Sequence, residues 1–303
     1  MVVVDGVLGR ISETHPVGGL AENLAGDEWR GRVGSSWAAE WVRTDRSFVG
    51  LTDHLVEAVS AALPLLAEPK QRAVLDIGCG AGETALKLAV RRADFDVTGL
   101  DLSDDLVAVA RQRGEGQSNL GFVAGDAGAW RGSGHGSGSF DAALSRHGVM
   151  FFDDPVAAFV HLRRLMTPGA PLAFTCFAAR EANPWASEVA ELIGAPPPAD
   201  PHAPGPFAFA DANRVHDILA ASGWRDARPE RIDYRYVAGG GGAPVADALD
   251  FFMRIGPAAR TIATLEPSMV AALRPRLTVW LDAHVEDSEV RFPAAAWLWR
   301  ATA

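Results

Sequence analysis

The sequence predicts an α/β fold: a doubly wound sheet with helices on both faces and helical segments added at either end. Three observations predict it. From residue 73 short apolar runs alternate with amphipathic stretches. One of those runs, at residues 74–77, turns through three glycines straight into a helix. The chain has 303 residues, 48% hydrophobic and 22% charged, which is enough apolar mass for a sizeable core.

In chain order, residues 1 to about 28 show no sustained period and read as an irregular arm. A Trp-Gly pattern follows, with Trp29, Gly31, Gly34 and Trp37, and then Trp41. Leu51, Leu55, Val56, Val59, Leu63 and Leu66 recur at helical spacing, with Pro64 blurring the end of that helix. Residues 73–77 read as a buried strand, 83–92 as a helix and 96–100 as a second strand. Ser103 opens the next helix as its N-cap, and Asp104 and Asp105 stand at the positive end of its dipole. Residues 120–123 and 142–145 are the third and fourth strands. A helix over 155–166 starts at Pro155 and stops at Thr167-Pro168-Gly169, and 171–177 is the fifth strand.

Beyond residue 196 comes a Pro-rich connector and then a helix capped by Asp211 that ends at Ser222-Gly223. Ile232, Tyr234 and Tyr236 alternate with Arg231, Asp233 and Arg235, as in a half-exposed strand. Gly239 to Gly242 reads as a flexible joint. Residues 246–285 read as two or three helices broken at Pro257, Pro267 and Pro275, and 294–300 as a closing strand. Gly132 to Ser139, which includes His135, reads as a short solvated loop.

Composition narrows the function. Lys plus Arg number 28 and Asp plus Glu 38, a formal charge of −10 that argues against a broad nucleic-acid-binding face. The two cysteines, Cys79 and Cys176, form no C-x-x-C pair, so neither a disulfide framework nor a cysteine zinc cluster is expected, and no metal is assigned. Neither a signal-peptide pattern nor an apolar run of the ~18 residues needed to span a bilayer is present. The expectation is a soluble cytoplasmic protein; its oligomeric state stays open.

The glycine turn carries the chemistry. Strand 74–77 contains Asp76 and is followed by Gly78, Cys79, Gly80, Ala81 and Gly82. A dinucleotide loop would read G-x-G-x-x-G; here the sixth position is Glu83, and Asp76 precedes the turn. Two acids beside the loop repel a pyrophosphate and suit a ligand carrying positive charge. Asp101, at the end of the second strand, can accept two hydrogen bonds from ribose hydroxyls, and Asp126, after the third, can accept from an exocyclic amine.

These residues resemble the class I S-adenosylmethionine-dependent methyltransferases. The resemblance is carried by Val74 to Gly82, by Gly99-Leu100-Asp101-Leu102-Ser103, by Gly125-Asp126-Ala127, by Phe140 to Arg146 and by Leu165 to Gly169, and it covers residues 73–177 closely. The Trp29 to Trp37 pattern and the stretch Ser145 to Phe152 look like the bacterial UbiE-like branch. The resemblance implies a Rossmann-like sheet of seven strands with the last one antiparallel. It divides the chain into an N-terminal arm and helical lid (1–66), a cofactor-binding core (67–180) and a segment that completes the sheet and carries a helical substrate cap (181–303, cap about 246–285). It implies S-adenosylmethionine as cofactor, with Asp76 and the glycines at its methionine end, Asp101 at its ribose and Asp126 at its adenine. The implied cofactor set is completed by Cys79, Leu102, Ala127, Ser145 and Trp37.

Methyl transfer from a sulfonium is an in-line displacement, so a protein contributes alignment, exclusion of water and, for a hydroxyl acceptor, removal of a proton. His147, after the fourth strand, is placed to be that base, its unperturbed pKa of about 6.5 being suited to neutral pH; the residues equally admit a histidine that only lines the pocket. Arg146, Met150, Phe151, Trp185 and Phe252 are the expected acceptor-pocket residues, with Trp29, Trp41, Phe207, Phe209, Phe251 and Met253 as further aromatic or soft lining. Together they suggest a small, largely apolar or aromatic acceptor. His161 reads as a packing or surface residue, and Asn183-Pro184-Trp185 as a turn. Two other classes stay open: a nicotinamide-dependent oxidoreductase, against which Asp76 and Glu83 count, and a binding protein that kept the loop without the chemistry.

Overall fold

The computed structural model describes residues 26–65, 71–132 and 139–303. Residues 1–25 of the arm expected over residues 1 to about 28, the helix position at Leu66 and most of the Gly/Ser loop with His135 lie outside them. Four helices come first: α1 (Gly26–Arg30), α2 (Arg32–Ala39), α3 (Trp41–Ser47) and α4 (Val49–Ala62). Then strands and helices alternate as β1 (Arg72–Ile77), α5 (Glu83–Arg91), β2 (Phe95–Asp101), α6 (Asp104–Arg113), β3 (Leu120–Ala124), β4 (Ala142–Arg146), α7 (Pro155–Leu165) and β5 (Pro171–Phe177). The rest is α8 (Pro184–Ile193), α9 (Ala212–Ala221), β6 (Arg225–Gly239), α10 (Pro244–Arg254), α11 (Gly256–Ile262), α12 (Pro267–Asp282), β7 (Val285–Glu286) and β8 (Glu289–Thr302).

The strand order is β3-β2-β1-β4-β5-β8-β6, with the two-residue β7 attached to β8. The first five strands are parallel, and β8 runs antiparallel to both of its neighbours, β5 and β6. This is the expected seven-strand sheet plus a minor hairpin arm. Parallel strands covered on both faces must be apolar throughout, and Val74, Leu75, Ile77, Val97 and Leu100 are all buried. On one face α4 packs against α5 and the central strands; on the other, Phe159 of α7, Phe174 of β5, Phe209 and Trp299 form an aromatic cluster.

Local signals set most boundaries. The Ser103 hydroxyl accepts from the Leu106 N–H, Asp154 caps α7 and Asp211 caps α9. Four expectations need correction. Residues 26–30 are helical rather than irregular. Pro275 lies inside α12 without breaking it, because it sits on the exposed face, where the freed carbonyl four residues back can bond water. Gly239 is no joint but the end of β6, where a Cβ would meet the Pro244 carbonyl at 2.0 Å. Strands β6 and β8 run well past the expected 231–236 and 294–300, since the first half of β6 is a polar edge whose sequence shows no alternation. No helix among the described residues is long and apolar enough to cross a membrane.

Asn183-Pro184-Trp185 proves to be a built junction. The buried Asn183 amide donates to the carbonyls of Ala178, Ala179 and Ala295, and its oxygen accepts from Ala295 N–H and the Trp185 indole. It joins β5, α8 and β8 at one point. Replacing Asn183 with Ala leaves several buried groups unpaired, so Asn183→Ala should cost about 3 kcal/mol or more of unfolding free energy in a urea melt.

Candidate active site

The carboxyl ends of β1, β2, β3 and β4 open onto a cavity of about 1350 Å³. It exceeds the roughly 300–1,000 Å³ of a site for one small molecule, so it has room for two ligands in contact. The strand tips form one end. The other is walled by α1–α3 on one side and by α8, α10 and α11 on the other.

The glycine turn is shaped by backbone rather than by side chains. Gly78 and Gly80 have φ of +64° and +55°, the left-handed region that favours glycine. At Gly78 a Cβ would also meet the Cα of Gly148 at 2.9 Å, and a Cβ at Gly148 would meet the Ile77 carbonyl at 2.7 Å. The turn after β1 and the turn after β4 thus touch backbone to backbone. Gly82 serves packing instead: it does not line the cavity, and a Cβ there would strike the Phe122 ring at 2.7 Å.

The acids differ in setting. Asp101 is buried at the cavity wall; one oxygen accepts from Gly80 N–H at 2.8 Å and the other from Ser103 N–H at 2.9 Å. Burial raises its pKa, and those N–H groups oppose the shift. Each oxygen keeps a lone pair for a hydroxyl donor. Asp126 is exposed at the rim and braces its own turn by accepting from Gly128 N–H. Asp76 lies beneath the loop rather than on the cavity wall, with neither carboxylate oxygen hydrogen-bonded among the described residues. Burial pushes it up to about 7, partly offset by Arg146. Cys79 lines the cavity as a thiol pushed well up by burial and by Asp101, so it fills the turn rather than acting as a nucleophile.

His147 stands where the two halves of the cavity meet. Its backbone is left-handed, φ +59°, and its N–H is tied to the Thr175 carbonyl. The ring stacks on Phe177 with centroids 4.1 Å apart and lies against Phe48. Both ring nitrogens are buried without a hydrogen-bond partner among the described residues. Burial, and then Arg146, push its pKa well below 6.5, so the imidazole is neutral at neutral pH and less basic than the free side chain. Met150, Phe151, Trp185, Phe252 and Trp37 line the cavity as expected, as do Trp29, Trp41, Phe251, Met253, Leu102 and Ala127.

Besides Asp76 and Gly82, three expected positions do not line the cavity. Ser145 is fully buried, donating to the Ile77 carbonyl and accepting from Gly148 N–H, so its hydroxyl holds the two turns together. Phe207 lies behind the wall against Phe177 and Trp185, and Phe209 belongs to the aromatic cluster on the other face of the sheet. His161 bonds the Trp130 carbonyl, a packing role.

Arg146 reaches the cavity with its guanidinium already engaged, by Thr52 at 2.8 Å and by Asp45 at 3.3 Å. Sequence reasoning missed Asp45. Its other oxygen lies 2.7 Å from Arg113, which also donates to the Ala81 carbonyl in the glycine turn and pairs with Glu83. It missed as well the ion pairs joining the N-terminal helices to α10 and α11: Glu28–Arg260, Glu40–Arg254 and Asp247 with Arg43 and Arg46. No spacing rule exposes pairs more than 200 residues apart. The one available signal is Glu40, an acid between α2 and α3 flanked in sequence by Trp37, Ala38, Ala39, Trp41 and Val42.

Residues 74–169 match the family model described as a methyltransferase domain. The chain is 31% identical over 112 residues to the malonyl-[acyl-carrier protein] O-methyltransferase of Paenibacillus sp., covering 36% of this chain and 39% of that protein. It is also 31% identical over 112 residues to the demethylmenaquinone methyltransferase of Thermus thermophilus, covering 37% and 50%. The chain therefore spans half or less of the length of these relatives. Haemonchus contortus phosphoethanolamine N-methyltransferase 2, solved in complex with S-adenosyl-L-methionine, shares the fold: TM-score 0.54 at 17% identity, covering 92% of this chain and 60% of that one. Residues 74–169 thus match a methyltransferase domain, set in a fold shared with a structure solved with S-adenosyl-L-methionine.

The raised pKa of Asp76 makes stability depend on pH. A carboxyl whose folded pKa exceeds its unfolded value contributes stability below the unfolded pKa and loses it as pH rises through the folded one, here about 7. Asp76→Asn should therefore gain on the unliganded wild type as pH rises from 5 to 8, by at most ~1.4 kcal/mol per pH unit. Thermal melts at both pH values check it; equal differences at the two would refute a charge held out of water at Asp76.

Proposed function

We propose that this chain transfers the methyl group of S-adenosylmethionine to a small, largely apolar or aromatic acceptor by in-line displacement. One observation carries the reading: a single cavity joins strand tips bearing acids to an aromatic chamber, with His147 at the junction. The residues fit the donor. Asp101 has capacity for its ribose hydroxyls and Asp126 for the adenine amine, while Trp37, Leu102, Ala127 and Cys79 give apolar walls between them. The buried carboxyl of Asp76, pushed up to about 7, ionises beneath Gly78 and Gly80 when a cation binds there, and among the described residues no lysine lines the cavity.

S-adenosylmethionine supplies a methyl group already activated by its sulfonium. The chain's own contribution is alignment and dryness. Phe48, Phe177, Trp185 and Tyr236 exclude water from the acceptor side and offer flat faces that orient a ring. His147, held neutral by burial and stacked on Phe177, orients the acceptor or receives its proton at a ring nitrogen that the acceptor must first uncover, since both nitrogens are buried in the unliganded chain.

Titration calorimetry with S-adenosylmethionine, S-adenosylhomocysteine and NAD tests the donor, and preference for NAD would reject the reading. Asp101→Ala should weaken S-adenosylmethionine binding at least ~10-fold, since it removes a charged acceptor of ribose hydroxyls and a brace of Gly80. Labelled donor offered with phenols, quinones and amines tests transfer; tight binding without product would favour a non-catalytic binding protein. With a confirmed acceptor, His147→Ala should leave donor affinity within ~2-fold and lower turnover by ~10²-fold or more if the imidazole removes a proton. Unchanged turnover across pH would remove that role.

A further inference from the structure

Arg113 has partners out of proportion to a helix-terminal arginine. It is the last residue of α6 and does not line the cavity, yet three groups that do line it are its neighbours. Its Nη1 donates to the Ala81 carbonyl at 2.7 Å, its Nη2 lies 2.7 Å from Asp45, and its guanidinium sits 4.0 Å from the centroid of Trp41. Glu83, the first residue after the glycine turn, takes a further bond at 3.0 Å. Ala81 belongs to the cofactor-side turn, and Asp45 and Trp41 belong to lid helix α3. One planar cation thus grips a glycine turn from behind and the lid from below. A fork of five donors can do this; a lysine ammonium at the same place cannot reach all four partners.

We propose that Arg113 is a positioning residue that locks the glycine turn and lid helix α3 into one cooperative unit, with Asp45 as the lid's half of the lock. The physical need is plain. A turn with left-handed glycines at 78, 80 and 82 has much conformational freedom to lose, and α3, of seven residues, is too short to hold itself. Each is ordered by the same guanidinium, so ordering one favours the other. Asp45 carries the link onward: its second oxygen meets Arg146 at the acceptor chamber. A ligand that settles the turn must then seat the lid, and by reciprocity a seated lid must tighten the binding of that ligand. Where the ligand is concerned, the inference rests on the methyl-donor reading above; the lock itself does not.

Hydrogen exchange on the unliganded protein tests the lock directly, comparing wild type with Asp45→Asn, Arg113→Lys and Arg260→Gln. The last removes a lid-to-cap pair, with Glu28, that does not touch the turn. Exchange at residues 79–84 and 41–47 should rise together in the first two variants, by ~10-fold, and at 79–84 should be unchanged in Arg260→Gln. Calorimetry with S-adenosylmethionine should show ~10-fold weaker binding for each of the two, with the double variant no worse than either single one. Unaltered exchange at 79–84 in Asp45→Asn, or fully additive losses, would overturn the lock. Should Arg113→Lys fail to fold by circular dichroism, Asp45→Asn decides alone. If wild type itself binds no S-adenosylmethionine, the donor reading falls while the exchange result still judges the lock.

Discussion

The site depends on one close approach. Gly78 after β1 and Gly148 after β4 meet with no side chain between them, and Ser145 bridges the same two turns through the Ile77 carbonyl and the Gly148 N–H. Any Cβ at either glycine would strike backbone, which cannot move aside as a flexible side chain can. The contact decides where His147 stands. One residue before Gly148 and bonded to Thr175, it has to face the place where the glycine turn ends. The left-handed backbone of His147 is the strain this arrangement carries, held by packing on both sides.

Burial sets the electrostatics of that place. Asp76 and Asp101 are both raised by desolvation, and His147 is lowered by it, so the unliganded site holds less formal charge than its residue types suggest. Arg146 is the nearby cation opposing the rise at Asp76 and adding to the fall at His147. Asp45 in turn holds Arg146 in place. A cationic ligand at the loop would favour the ionised form of Asp76. The preference for a positive ligand drawn from Asp76 and Glu83 in the sequence therefore rests on Asp76, because Glu83 lies off the cavity and is paired with Arg113 and Lys87.

Much of the core was legible because its determinants are local. The alternation of apolar runs gave the strands, Ser103 and Asp211 marked helix starts, and the glycines announced a turn needing positive φ. What local pattern does not carry was missed. Ser145 and Gly82 sit in the right motifs but face inward, since a motif fixes chain position and not which atoms remain free. Pro275 looked like a break because periodicity does not show which face of a helix meets solvent. The first half of β6 is an edge with no alternation to read. Asp45, Arg113 and the ion pairs to α10 and α11 join segments that only the fold brings together, and of their residues Glu40 alone is unusual for its place in the chain.

The division between legible and illegible follows the division of labour in the cavity. The donor end is built from successive strand tips, each an acid beside a glycine or a small residue, and such ends must read alike wherever the same ligand is bound in the same fold. The acceptor end is assembled from helices that are too short or too irregular to stand alone. The helices α1, α2 and α3 have five, eight and seven residues, well below the ~12–15 at which an isolated helix becomes even marginally stable. Their order is lent by contacts: Gly34 seated on Ser103, Trp29 against Phe151, and arginines shared with the core and the cap. Several of those contacts are made by residues that also line the cavity, Trp29, Phe151, Glu28 and Arg260 among them, so the lining of this wall and its stability change together while the sheet beneath is left alone. Acceptor choice would then rest on residues whose neighbours in sequence say nothing about it, while donor binding rests on residues whose neighbours say nearly everything.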